Sequence, residues 1–202
     1  TYYRSKKEAL PEQVLFPYPH PKAQGLILDP KERATVLKVE KDSPADAAGF
    51  KAGDQIKTLA GDPLLSIADV QWVLHRTKPE GDTLKAEVLR EGKPVELKFT
   101  LPKAWREKED ISWRSSSWGL RRMATGGMKL ENIDGDLPAG VAKDGMALLA
   151  KHVGQFGAHA TAKNAGFQVN DVIVSFDGKT NLSRETDVFA YALRTKMPGE
   201  KI

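Results

Sequence analysis

Apolar and polar positions alternate in short blocks through the first half of the chain. "GLIL" (25–28) is a short apolar run opened by glycine, and "ATVLKV" (34–39) alternates as a strand does. Ser43 is placed to cap a short helix whose first turn holds Pro44, and Gly49 ends it. "AGDQIKTLAG" (52–61) carries a strand between two turns. Ser66 opens "SIADVQWVLHRT" with Asp69 three positions on, the spacing of a capping box. Ile67, Val70, Val73 and Leu74 then share one helical face, and Pro79 and Gly81 close the segment. "LKAEVL" and "VELKFTL" are two alternating strands joined by the turn Arg90-Glu91-Gly92-Lys93. The order strand, strand, short helix, strand, longer helix, strand, strand predicts an α+β fold: a small, partly open β-barrel or sandwich capped by two helices.

The same phrase returns further along. Ala48-Gly49-Phe50 aligns with Ala165-Gly166-Phe167 at an offset of 117, which also pairs Asp54 with Asp171 and Ile56 with Ile173. "DVQWVLHRTKPEGD" (69–82) aligns with "DVFAYALRTKMPGE" (187–200) at an offset of 118. An internal repeat of this length implies two copies of one domain. The expected layout is a linker over 1–24, a first domain over 25–102 and a second over 103–202. The second carries an insertion around 121–145 and lacks the closing hairpin of the first. The chain begins with Thr1 and stops where that hairpin would start, so it is expected to be a piece of something longer.

Composition narrows the chemistry. No stretch of the 202 residues is apolar enough for a membrane helix, so direct membrane insertion by this segment is not expected. The net charge of +4 comes from basic residues interleaved with acids, which argues against a nucleic-acid partner. Cysteine is absent, the four histidines show no ligand spacing, and neither G-x-S-x-G nor another nucleophile motif occurs. No catalytic residue, metal or other cofactor is expected.

The stretch "VLKVEKDSPADAAGFKAGDQIKTLAG" (36–61), followed by the "REGK" hairpin, resembles the PDZ family in its bacterial form, as found in tandem in the Deg/HtrA (high-temperature-requirement) serine proteases. The likeness spans 25–101 and, with departures, 146–202. It implies recognition of peptide or unfolded-protein C-termini by strand addition beside a helix. In the first copy it places a carboxylate loop and edge strand at Gln24, Gly25, Leu26, Ile27 and Leu28, with Lys22 just upstream. Ile67, Gln71 and Leu74 form the facing helix wall, and apolar Ile67 implies a hydrophobic preference. In the second copy Trp118, Gly119 and Leu120 look like the matching loop, and Glu185, Phe189 and Ala192 take the helix positions, with Phe189 placed to narrow or fill the groove.

The resemblance implies the recognition and regulatory segment of a periplasmic or otherwise extracytoplasmic protease. Any membrane anchor or homo-oligomer would then come through the rest of the parent protein. A non-catalytic adaptor fused to another domain, such as a thioredoxin-like one, and the PDZ insert of a site-2 membrane protease are the alternatives.

Overall fold

The computed structural model describes residues 10–142, 145–197 and 200–201. It divides into two compact units, Pro11–Asp110 and the chain from Ile111 onward. Each unit is α+β, and the sheets do not close into a barrel.

In the first unit β1 (Leu26–Leu28) pairs antiparallel with β2 (Val36–Val39). Strands β3 (Gln55–Leu59), β4 (Asp62–Pro63), β5 (Asp82–Arg90) and β6 (Lys93–Leu101) form a second sheet in the order β4-β3-β5-β6. Local signals in the sequence explain the helices. Ser43 Oγ accepts the Asp46 N–H at 3.1 Å and caps α2 (Pro44–Ala47), which follows a single turn α1 (Glu12–Leu15). Ser66 and Asp69 form the capping box of α3 (Ile67–Arg76), whose Val70, Val73 and Leu74 are buried. These three side chains join Leu26, Leu28, Leu59 and Phe99 in one core, each worth about 1.5–3 kcal/mol of burial.

The unit reaches past the β5–β6 hairpin. Trp105 is fully buried and donates its indole N–H to Lys78 O at 2.9 Å. Buried Arg106 donates to the carbonyls of Leu74, His75 and Thr77 at 3.0, 2.7 and 2.7 Å. One cation thus meets three carbonyls at the end of α3, where the helix leaves acceptors without intrahelical partners. The stretch 11–24 also packs here, with Leu15 and Phe16 buried; residues 1–9 of the expected linker lie outside the described residues.

The second unit repeats the plan in a reduced form. Strands β7 (Met128–Asn132), β8 (Leu148–Val153) and β9 (Val172–Ile173) form one antiparallel sheet. The helices are α4 (Ser117–Ala124), α5 (Thr161–Asn164) and α6 (Glu185–Thr195). β7–β8 copies β1–β2 down to the irregularity: the register slips between Lys129 and Leu130 as it does between Ile27 and Leu28. The extra length lies between β7 and β8, over 133–147, where the first unit needs only 29–35. Residues 121–124 are helix and 128–132 are strand, so the expected insertion around 121–145 is displaced toward the β7–β8 loop.

Candidate functional site

Strand β1 stands at the end of its sheet. Gly25 O accepts from Glu40 N–H at 2.9 Å, and Asp29 N–H donates to Thr35 O at 2.8 Å. Main-chain groups of alternate residues point to opposite sides of a strand. Those of residues 25, 27 and 29 therefore face β2, and those of Leu26 and Leu28 face away from it. Among the described residues no strand pairs with that outer edge. The side chains of Leu26 and Leu28 are buried in the core and Ile27 is half-buried, so the edge offers backbone more than side chain.

The glycine that opens the strand has two reasons to be glycine. Its φ is +79°, and a Cβ there would stand 2.1 Å from Ser43 Oγ. Before it, Pro21–Gln24 forms a 3-10 turn on which Lys22 is exposed. Gln24 points inward instead and donates Nε2 to Trp105 O at 2.9 Å, which makes its side chain a structural tie.

The α3 residues divide by exposure. Leu74 is fully buried, Ile67 is half-buried against the core, and half-buried Gln71 donates Nε2 to Tyr18 O at 3.1 Å. Tyr18 N–H in turn points at His75 Nδ1 at 3.3 Å, and the two rings stack with centroids 4.3 Å apart. Burial, followed by the nearby Arg106 cation, pushes the His75 imidazole below its ordinary value. That favours the neutral ring the Tyr18 N–H requires. Tyr18 and His75 went unread in the sequence because their partners lie 53 and 57 positions away.

The second unit treats the same edge differently. Gly154 N–H donates to Gly127 O at 3.1 Å, as Glu40 does to Gly25, so Met128 and Leu130 are the outward residues of β7. Both are occupied. Thr125 Oγ1 donates to Met128 O at 2.7 Å, and Leu130 N–H donates to Glu185 Oε1 at 2.8 Å. Glu185 also receives Arg121 Nε at 2.9 Å and Nη2 at 2.6 Å, and both side chains are 2% exposed. Burial pushes the Glu185 carboxyl up; the Arg121 fork and the Leu130 N–H oppose that rise. Phe189 is fully buried beneath the Arg121 guanidinium, 6.0 Å from ring centroid to Cζ.

Trp118, Gly119 and Leu120 require a correction. They are turns of helix α4 rather than a loop before a strand. The turn that enters β7 is Gly126-Gly127, with φ of +63° and +95°. The signal was present as "TGGMKL", which stands to β7 as "QGLIL" stands to β1, but the Trp-Gly-Leu triplet lay upstream and resembled the motif more closely. The Trp118 ring lies 4.7 Å from the Arg121 guanidinium, so it shields the buried pair from the solvent side.

Comparison with known proteins matches residues 20–101 to the PDZ domain. The chain is 33% identical over 153 residues to the periplasmic pH-dependent serine endoprotease DegQ of Escherichia coli (strain K12), covering 75% of this chain and 30% of DegQ. That stretch is longer than the first unit and therefore runs into the second. A probable periplasmic DegP-like serine endoprotease of Ectopseudomonas mendocina is 32% identical over 100 residues, covering 50% of this chain and 21% of the relative.

The chain carries a PDZ domain of the bacterial Deg/HtrA type. It spans between a fifth and a third of the length of these two relatives. The serine endoprotease of Yersinia pestis is similar over 33% of this chain and 24% of its own, at 29% identity and a TM-score of 0.31. The HtrA3 PDZ domain bound to a phage-derived ligand is similar over 37% of this chain and 76% of its own, at 20% identity and a TM-score of 0.31. In the order of elements, β7 and α6 of the second unit correspond to β1 and α3 of the first. Among the described residues no group of three or more His, Asp or Glu could hold a metal ion.

Proposed function

We propose that this segment is the peptide-recognition and regulatory part of a Deg/HtrA-like periplasmic serine endopeptidase, and that its first unit does the recognising. An extended polypeptide C-terminus adds to the outer edge of β1, beside α3. The observation that carries this is the pair of outward main-chain residues, Leu26 and Leu28, on a strand edge that no strand among the described residues pairs with. Gly25 lets the backbone come close to a terminal carboxylate, and Lys22 adds positive charge beside it. With Gln71 held by Tyr18 and Leu74 fully buried in the core, the wall is left to half-buried Ile67, which favours apolar side chains.

The names of the relatives support the periplasm and the protease parent. No helix among the described residues is long and apolar enough to cross a membrane. Anchoring and assembly would be properties of the parent protein outside this segment. No residue here is given a catalytic role.

Isothermal titration with peptides of matched sequence and an apolar C-terminal residue tests the reading. A free carboxylate should bind at micromolar Kd, about −8 kcal/mol, and amidation should weaken binding about tenfold. Ile67→Asp should abolish binding with the far-UV circular dichroism unchanged. Equal affinity for acid and amide would remove the carboxylate loop from the reading.

A further inference from the structure

The two units present the same strand edge in opposite states. In the first, Ile67 starts the groove helix and no side-chain hydrogen bond reaches the outward groups of Leu26 and Leu28 among the described residues. In the second, Glu185 takes the place of Ile67, and its carboxylate reaches across to the Leu130 N–H. Thr125 takes the Met128 carbonyl. These are the donor and acceptor that an added strand would need. Arg121 comes from α4, a helix whose counterpart in the first unit is only the 3-10 turn Pro21–Gln24. Its guanidinium sits over Phe189 and forks onto Glu185.

We propose that the second unit is a peptide groove latched shut by its own chain, with α4 as the plug and the Arg121–Glu185 pair as the latch. The occupant it excludes is an extended apolar peptide of the kind proposed for β1, so the inference rests on that reading. The latch confines capture to the first unit and makes the second a reserve edge, usable only after Arg121 and Glu185 separate. A buried ion pair suits this role better than an apolar seal would. Two well-packed apolar groups stabilise a closed state at least as well, whereas a charge pair holds one register and loses its grip when either partner is drawn away.

Amide hydrogen exchange on the isotope-labelled chain tests the latch first. Leu130 N–H should exchange at least tenfold more slowly than Leu28 N–H, since only Leu130 has a carboxylate partner. Equal rates overturn the latch and need no variant. Peptide titration followed by amide chemical shifts tests the reserve edge. In the unmodified chain the shifts should gather at Gly25–Leu28 and leave Met128–Leu130 still. In the double variant Arg121→Met with Glu185→Ile, which carries the apolar choice of the first unit, β7 should respond as well and the stoichiometry should rise from one to two. A folded variant that responds at β1 alone overturns the latch. Silence at both edges overturns instead the strand-addition reading on which it rests.

Discussion

Gly25 joins the repeated phrase to the strand edge that is proposed to bind. Ser43, the helix cap of that phrase, is fixed from two sides: its Oγ donates to Glu40 O at 2.5 Å and accepts from Asp46 N–H at 3.1 Å. It cannot swing away from a new methyl group, and a Cβ on Gly25 would stand 2.1 Å from it. Gly53 is also left-handed, with φ of +87°, but nothing lies within 4 Å of its missing Cβ. The two glycines therefore separate backbone strain from collision. Gly53→Ala should cost only the left-handed penalty, about 1–2 kcal/mol. Gly25→Ala should cost that plus an overpacking term of about 1–3 kcal/mol. Urea unfolding of the two variants checks the difference, and equal losses would show that Ser43 yields.

At the scale of elements, the β5–β6 hairpin is pinned to the start of β3 by one ion pair. Arg90, at the end of β5, forks onto Asp54 with Nε–Oδ1 and Nη2–Oδ2 both at 2.7 Å, and Lys51 N–H adds a third bond at 2.9 Å. Asp54 is fully buried, and burial alone would raise its carboxyl; the Arg90 bond and the Lys51 N–H outweigh it and hold the group below its ordinary value. A carboxyl depressed in the folded state contributes stability above its unfolded value and loses it as pH falls through the folded one. The pin should thus be fully present at neutral pH and fade only below about pH 4. Arg90→Met leaves the buried carboxylate alone and should cost about 2–3 kcal/mol at pH 7, with the loss shrinking as pH falls toward 3. Denaturation of both proteins across that range measures it; a loss independent of pH would refute the pin. This hairpin was fully legible, because strand alternation and a Gly turn are local signals. Strand β1 and helix α3 were legible for the same reason. The α4 plug was not. Its Trp118-Gly119-Leu120 triplet resembled a loop motif, and its seat depends on Glu185, 64 positions from Arg121.

Across the described residues, the two copies of the repeated phrase differ in burial. Phe50 is 3% exposed and meets Phe99 of β6 edge-to-face, with centroids 5.5 Å apart. Phe167 holds the matching position in the second unit and is 39% exposed. Val169 and Val174 are exposed nearby, and Phe167 borders a cavity of about 650 Å³ together with Ala162, Ile173 and Phe176. No strand pairs with the far side of β9 among the described residues. Asp171, the counterpart of Asp54, caps its own turn by accepting Gln168 N–H at 2.8 Å. One sequence phrase therefore has two energetic values. Phe50→Ala opens a cavity in a closed core and should cost about 3–5 kcal/mol. Phe167→Ala removes a ring already partly in water and should cost about 1 kcal/mol or less. Urea unfolding with separate probes for the units, the buried Trp105 for the first and the β7 amides for the second, measures each loss in its own unit. Comparable losses in the two variants would mean that the second unit closes over Phe167 in solution, and that the repeat is energetically symmetric after all.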